Sequence, residues 1–315
     1  LNKEHKKYSL NYYIQLAKDI ENAGAHILGL KDMAGLLKPY AAYELITALK
    51  SEINIPIHLH THDTSSIQAA TYLKAVEAGV DVVDVALGGL SGLTSQPNFN
   101  AVAEMLKFHE RENKLNTESL NEYSNYWERV RTYYYPFESG LKSGTGEVYQ
   151  HEIPGGQYSN LKPQAQSLGL EHRFHEITKM YGEVNKLFGD IVKVTPSSKV
   201  VGDMAQYLVS NNFTVQDVIA KGTTMDFPQS VVNFFKGDLG QPVGGFPKQV
   251  QEIILKGQKP YTNRPNAHLE PIDFDKEYQD FLKTFDHEMS RPLSITDFLS
   301  FKLYPKVFVD AYNKH

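Results

Sequence analysis

The sequence has 315 residues, of which 41% are hydrophobic, and its 32 basic and 37 acidic side chains give a formal charge of −5. This composition is typical of a globular protein of one or two domains, and it lacks the basic surplus expected of a nucleic-acid-binding protein. Because there are no cysteines, disulfides and thiolate metal sites are excluded. No apolar run is long enough to span a bilayer and no secretory signal is visible, so we expect a cytoplasmic protein with no nucleic-acid or membrane partner.

The first hundred residues alternate between predicted helices and strands. Apolar residues at helical spacing predict a helix from Leu10 that ends at Gly24, a second from Pro39, and a third that ends at Gly79. Short apolar runs predict strands that begin near residues 26, 57 and 81. This alternation is typical of βαβ units with a parallel sheet, as found in doubly wound folds and in (β/α)8 barrels. Chemistry clusters at the strand ends and no Gly-rich phosphate loop follows a strand, which favours the barrel.

Three units are too few to close a barrel, so we expect earlier strands upstream of Leu1. The chain begins with leucine rather than methionine, which favours a sequence cut from a longer one. We therefore predict an α/β fold, in which residues 1–105 are the C-terminal portion of a TIM (β/α)8 barrel. Residues 106–315 are predicted to form a mainly helical domain that completes the active site.

Beyond residue 105 the pattern is mainly helical. Helices are predicted at residues 118–135, 171–189, 199–211, 215–221 and near 248–256, with a loop at 139–165 and an irregular tail at 259–275. The stretch 118–135 is rich in aromatic residues, among them Tyr123, Tyr126 and Trp127. We expect these rings to pack in the core of their own domain, with a self-association contact as the alternative.

Three histidines alternate along the second predicted strand. Side chains at His58, His60 and His62 point to the same face of the sheet. Neutral imidazoles are good metal ligands, and two of them on neighbouring pleats can chelate one ion. The alternative is a set of core histidines that bond to the adjacent strands. We favour metal binding by His60 and His62 near the strand end, with His58 in a structural role.

Lys31 ends the preceding predicted strand. A protonated ammonium group repels a cation, so an ordinary lysine is a poor neighbour for a metal. Lys31 could pair with Asp32 or with a bound anion, or its amine could have reacted with CO2 to form a carbamate. The residues alone favour the pairing.

Thr195 and Ser198 lie in a polar stretch just before a predicted helix. Taken by itself, this stretch predicts a helix start at which serine or threonine hydroxyls bind free backbone N–H groups.

Several long motifs resemble the carboxyltransferase domain of the pyruvate carboxylase family. They occur in the order expected of that family at residues 31–39, 58–64, 82–85, 91–97, 151–161 and 194–203. The resemblance implies a divalent metal, zinc or manganese, held by an aspartate, a carbamylated lysine and two histidines. Lys31, His60 and His62 match the lysine and the histidines, so the carbamate becomes the better interpretation of Lys31. The aspartate belongs to barrel strands that precede this sequence.

The resemblance also implies a reaction and partners. Thr195 matches a threonine that shuttles a proton, while Ser198 and Lys199 match positions that line a biotin pocket. The implied reaction transfers a carboxyl group from carboxybiotin to pyruvate and gives oxaloacetate. No Ala-Met-Lys-Met carrier segment is present, so biotin would arrive on a carrier domain outside this chain. A biotin carboxylase domain and a homo-oligomer, dimer or tetramer, are expected as further partners.

Three other interpretations stay open. The carboxyltransferase subunit of an oxaloacetate decarboxylase or transcarboxylase shares the metal motifs, although residues 135–140 and 304–308 favour pyruvate carboxylase. A metal-dependent aldol or Claisen enzyme on a similar barrel would also use a His-x-His pair, but it would need neither Thr195 nor biotin. The chain could also be a truncated, non-catalytic assembly module.

Overall fold

The computed structural model describes residues 7–285 and 291–312. The chain divides into two compact units, Leu1–Asn263 and Arg264–His315. The strands are β1 (Leu28–Asp32), β2 (Ile57–Thr61) and β3 (Val82–Val83). The helices of the first unit are α1 (Leu10–Asn22), α2 (Pro39–Glu52), α3 (Gln68–Glu77), α4 (Phe99–Met105), α5 (Thr117–Arg131), α6 (Val148–His151), α7 (Gly155–Ser167), α8 (Phe174–Leu187), α9 (Ser197–Ser210), α10 (Val215–Lys221), α11 (Gln229–Lys236) and α12 (Lys248–Leu255). Those of the second unit are α13 (Phe274–Phe285), α14 (Ile295–Leu303) and α15 (Pro305–Tyr312).

The three strands form a parallel sheet in the order β1-β2-β3. Helices α2 and α3 connect them, as the predicted βαβ units require. Strand β1 begins at Leu28, two residues later than the predicted start near residue 26. The register places Lys31 beside His60, so both side chains lie on the same side of the sheet.

Local signals explain where the first helices start and stop. Ser9 accepts a hydrogen bond from the N–H of Tyr12 at the start of α1, and Gly24 follows the helix with a φ of +91°. Pro39 occupies the first turn of α2, where a missing N–H costs nothing.

The first unit contains two apolar clusters. One surrounds the sheet and includes buried residues of β1, β2, α1–α4 and the segments that directly follow α2, α3 and α4, namely Ala17, Leu28, Ala42, Leu45, Ile46, Leu49, Ile53, Ile57, Leu59, Tyr72, Ala75, Val76, Val80, Val102 and Leu106. The other lies among the helices α7–α12, where Leu161, Tyr181, Phe188, Met204, Leu208, Phe234 and Phe235 are among the buried residues. The domain boundary predicted at residue 105 stays a prediction.

The loop predicted at residues 139–165 is wrong in its second half, which forms α6 and α7. Two glycines begin α7 and Pro163 lies inside it, which are signals that normally argue against a helix. Leu161 and Ala165 are completely buried against the helical cluster. Packing with residues distant in sequence therefore outweighs the poor local propensity.

The aromatic residues of α5 do not pack in a core of the described chain, so that expectation is wrong. No residue of α5 is buried, and Tyr123, Tyr126 and Trp127 are all exposed.

The second unit has a core of its own, built largely from aromatic rings. Phe281, Leu293 and Phe298 are buried there. Phe281 packs in tilted geometry against four other phenylalanine rings with centroids 5.2–5.6 Å away, within the range of favourable aromatic contacts.

Among the residues that the structure describes, no helix is both long and apolar enough to cross a membrane.

Replacing Phe235 by alanine tests the helical cluster. Phe235 has no exposed surface, and its ring packs against those of Phe188, Phe234 and Phe246. We expect Phe235→Ala to lower the free energy of unfolding, measured by urea denaturation, by about 3–5 kcal/mol because it leaves a cavity. The matched change Phe108→Ala removes a ring that is 98% exposed and is expected to cost less than about 0.5 kcal/mol. Equal effects of the two changes would contradict the assignment of this core.

Candidate functional site

Two imidazole rings face each other at the C-terminal end of β2. The Nε2 atoms of His60 and His62 are 3.3 Å apart, and both side chains are half-buried. His60 lies within the strand, and His62 lies just beyond its last residue, Thr61. The rings are tilted at 75° with centroids 5.1 Å apart, so they converge on one point rather than stacking.

Asp84, just after β3, orients two of the histidines. His58 donates through Nε2 to Oδ1 of Asp84 at 2.7 Å, and His60 donates through Nδ1 to Oδ2 at 2.7 Å. Burial alone would raise the pKa of Asp84, but these hydrogen bonds outweigh it and hold the pKa below its ordinary value. Because Asp84 is an ionised acceptor, His60 carries a proton on Nδ1, and in the neutral ring the lone pair is therefore on Nε2.

His62 is oriented by the backbone. Its Nδ1 donates to the carbonyl oxygen of Thr94 at 2.6 Å. A carbonyl oxygen can only accept, so the Nε2 of His62 is likewise the acceptor atom of its ring. Burial lowers the pKa of His62, against a raising effect of the bond to Thr94, which favours the neutral ring.

The first residue of α7 packs directly against this ring. A Cβ atom at Gly155 would lie 2.6 Å from Nδ1 of His62 and 2.7 Å from the carbonyl oxygen of Thr94, which is closer than real Cβ contacts. The N–H of Gly155 donates to the carbonyl oxygen of Met33 at 2.8 Å. The absence of a side chain at this position is therefore what allows α7 to begin beside the histidine pair.

The histidine pair fits a bound cation. When both rings are neutral, their Nε2 lone pairs face each other 3.3 Å apart and favour a cation between them. Two nitrogen ligands of a tetrahedral ion with bonds of about 2.0–2.1 Å are separated by about this distance. Each ring also bonds an acceptor through its other nitrogen, which is the usual arrangement around metal-binding histidines. Within residues 7–285 and 291–312, no group of three or more His, Asp or Glu side chains is placed to hold a metal ion. The two histidines therefore do not form a complete ligand set with the described acidic side chains.

Lys31 lies next to His60 in the sheet register, and its charge contributes to the lowered pKa of His62. The expected pairing with Asp32 is wrong. The carboxylate of Asp32 instead accepts hydrogen bonds from the N–H groups of Leu36 and Leu37 and from the hydroxyl of Thr61, at 2.8–2.9 Å. Asp32 therefore organises the turn after β1 and leaves Lys31 near the histidine pair.

Thr195, Ser198 and Lys199 form a second group at the start of α9. Thr195 is exposed, Ser198 is 4% exposed, and Nζ of Lys199 lies 2.6 Å from Oδ2 of Asp203. The predicted capping of this helix is wrong. The N-cap residue is Pro196 and no side chain caps the helix, because proline has no hydroxyl to accept from the first N–H groups.

The structure brings Lys31, His60 and His62 together, and it places Thr195, Ser198 and Lys199 together elsewhere in the same unit. No hydrogen bond or ion pair that the structure describes joins the two groups directly. Helix α7 lies between them, since Gly155 touches His62 and a Cβ at Gly202 of α9 would lie 2.8 Å from Nε2 of Gln157.

Three contributors were missed from the sequence, namely Asp84, the carbonyl oxygen of Thr94, and Gly155. Asp84 offered a signal, because a carboxylate at the end of the strand next to a histidine-rich strand is a natural partner for imidazole N–H groups. Thr94 offered none, since every residue has a carbonyl group.

Comparison with known proteins identifies two families along the chain. Residues 3–126 match the family described as HMGL-like. Residues 148–315, more than half of the chain, match the family described as the conserved carboxylase domain. The chain belongs to the conserved carboxylase domain family.

Relatives of this conserved carboxylase domain protein are pyruvate carboxylases. That of Bacillus subtilis is 55% identical over 98% of this chain and 27% of its own length, and that of Staphylococcus aureus is 55% identical over 96% and 26%. The chain therefore spans about a quarter of the length of these relatives.

Solved structures similar to the chain include the carboxyl transferase domain of Rhizobium etli pyruvate carboxylase. It superposes with a TM-score of 0.92 at 52% identity, over 99% of this chain and 52% of that one. A second structure of that domain, with pyruvate and biocytin, gives a TM-score of 0.91 at 53% identity over 96% and 50%. The resemblance to the carboxyltransferase domain and the fold class, part of a TIM barrel followed by a helical region, are confirmed.

Two adjacent glycines of the conserved carboxylase domain give a matched test of the site. We expect Gly155→Ala to displace His62 and to lower the divalent metal that copurifies with the full-length protein about tenfold or more, measured by elemental analysis. Gly156→Ala, where a Cβ meets nothing within 4 Å, is expected to leave the metal content unchanged. An undiminished metal content in Gly155→Ala would remove His62 from the proposed ligand set.

Proposed function

We propose that the chain is part of the carboxyltransferase domain of a biotin-dependent pyruvate carboxylase, which transfers a carboxyl group from carboxybiotin to pyruvate and forms oxaloacetate. The observation that carries the proposal is the match of residues 148–315 to the conserved carboxylase domain, in a chain that also holds an oriented histidine pair. An aldol or Claisen enzyme would use the histidine pair without the carboxylase region, so this combination favours carboxyl transfer.

His60 and His62, together with Lys31 as a carbamate, would hold a divalent metal, zinc or manganese. Carbamate formation replaces a repelling ammonium group with an anionic oxygen ligand at the position beside His60. This change supports a cation where an unmodified lysine would oppose it. When bound, the metal supplies positive charge that stabilises negative charge developing on the substrate oxygen.

Thr195 would relay a proton. Its hydroxyl donates a proton to the biotin nitrogen from which the carboxyl group leaves as CO2, and it receives a proton from the methyl group of pyruvate. The resulting enolate carbon attacks CO2 to form the new C–C bond of oxaloacetate. An exposed hydroxyl at the start of α9, not used for helix capping, is available for this exchange.

Ser198 and Lys199 would bind the biotin ring. The first turn of α9 is held in place, because the hydroxyl of Tyr181 donates to the carbonyl oxygen of Ser198 at 3.1 Å. Lys199 is anchored at its charged end by Asp203, which also accepts from the hydroxyl of Ser230 at 2.6 Å. The backbone at Ser198 and the charged end of Lys199 are therefore both held in fixed positions.

The remaining components would come from outside this chain. Biotin is expected on a carrier domain, loaded by a biotin carboxylase domain, in a homo-oligomer that is a dimer or a tetramer. The similar chain of the complete multifunctional pyruvate carboxylase of Rhizobium etli is long enough to hold them, since this chain covers 30% of it.

Removing one imidazole tests the metal site. We expect His60→Ala, and likewise Lys31→Ala, to abolish metal binding in the full-length enzyme because each removes a ligand, with elemental analysis as the measurement. His172→Ala, which changes an exposed histidine in the turn before α8, serves as the control. Full metal content in His60→Ala would refute the assignment.

Replacing Thr195 by alanine tests the reaction. In the full-length enzyme we expect biotin-dependent decarboxylation of oxaloacetate to fall about 10²–10⁴-fold, because the proton relay is lost, while metal content is unchanged. Thr47→Ala, on an exposed face of α2, is the control. An active Thr195→Ala enzyme would eliminate the proton relay.

A further inference from the structure

The segment that carries Thr195 runs from the end of α8 to the start of α9, and several side chains hold it. The hydroxyl of Tyr8 donates to the carbonyl oxygen of Asp190 at 2.8 Å. The hydroxyl of Ser197 lies 2.6 Å from the carbonyl oxygen of Val194. These contacts restrain the backbone on both sides of Thr195, so its position is defined before any substrate binds.

One further contact of this segment is an ion pair. Nζ of Lys193 lies 2.6 Å from Oε2 of Glu152, and only 9% of the lysine surface is exposed. Removing an ammonium group from water is costly unless an anion compensates for it. Glu152 is therefore the group that allows Lys193 to point into the protein rather than into solvent.

Glu152 adopts a left-handed backbone conformation, which is uncommon for a glutamate. Its φ of 54° and ψ of 29° place it in the left-handed region at the end of α6, where glycine or asparagine is favoured. A glutamate is less favourable than glycine in this conformation, but it provides the carboxylate that pairs with Lys193. Outliers of this kind are concentrated at functional sites.

The ion pair joins the two halves of the candidate site. Glu152 lies three residues before Gly155. Gly155 packs against His62, and its N–H donates a hydrogen bond to the carbonyl oxygen of Met33. Lys193 precedes Thr195 by two residues. One path from the histidine pair to Thr195 therefore runs from Gly155 along the backbone to Glu152, across the ion pair to Lys193, and along the backbone to Thr195.

We propose that Glu152 and Lys193 are positioning residues that set the location of the Thr195 hydroxyl relative to the histidine pair. This inference rests on the proposed function of Thr195 as a proton relay. Proton transfer requires donor and acceptor atoms within about 2.6–3.2 Å, and a displacement of about 1 Å costs about 10²-fold in rate. Loss of the ion pair would release the segment and misplace the hydroxyl while leaving it chemically intact.

The test is a double-mutant cycle in the full-length enzyme, with biotin-dependent decarboxylation of oxaloacetate as the assay. We expect Glu152→Gln to lower kcat about 10–100-fold with little change in KM and no change in metal content. In the Thr195→Ala background the same change is expected to have less than about a twofold effect, because Glu152 acts through Thr195. Glu176→Gln removes the charge from an exposed pair with Arg173 in the same helical region and is expected to leave kcat unchanged.

Variants of Lys193 provide an independent measurement if Glu152→Gln does not fold. Lys193→Arg keeps the charge and is expected to retain more activity than Lys193→Met. Wild-type kcat in Glu152→Gln, or an equal loss in both Thr195 backgrounds, would overturn the inference. Equal activity of Thr195→Ala and wild type would instead overturn the proton relay itself, so the two failures are distinguishable.

Discussion

The candidate site depends on two imidazole rings that are held with their Nε2 atoms facing each other. When both rings are neutral, their Nε2 lone pairs lie 3.3 Å apart, an arrangement that a cation between them stabilises. Asp84 and the carbonyl of Thr94 maintain it, because neither ring can turn its lone pair away without losing a hydrogen bond of 2.6–2.7 Å. The folded chain thus supplies the orientation in advance, which is the main protein contribution to the affinity of such a site.

The arrangement also explains why strands and helices are combined in one unit. The strand register places Lys31 beside His60, and a hydrogen bond to His60 places Asp84, just after β3, next to the same ring. A further support comes from the helical region, where α7 begins against His62. Strand register alone would leave His62 uncovered on the side of α7. The helices alone carry none of the candidate metal ligands. The two apolar clusters therefore stabilise complementary parts of one site.

The histidine face and the first helix could be predicted from local sequence patterns. Helix α7, the start of α9 and the backbone acceptor of His62 could not, each for a physical reason. The histidine face followed from the two-residue period of a strand, and the limits of α1 followed from Gly24. Helix α7 was missed because Gly155 and Pro163 are poor helix formers whose conformation is decided by distant packing. The capping role expected before α9 failed because Pro196 occupies the N-cap position. Backbone acceptors such as Thr94 leave no trace in a sequence, since any residue can provide a carbonyl oxygen.

The backbone contacts around His62 have an evolutionary consequence. Met33 and Thr94 act there through carbonyl oxygens, so many side chains at these positions would preserve the same bonds to Gly155 and His62. Gly155 has no such freedom, because its contribution is the empty space where a side chain would stand. Substitution around this histidine is therefore expected to be permissive at the acceptors and almost forbidden at the glycine. Which substitutions are tolerated at these three positions would therefore depend on the main-chain conformation that each residue allows, more than on the chemistry of its side chain.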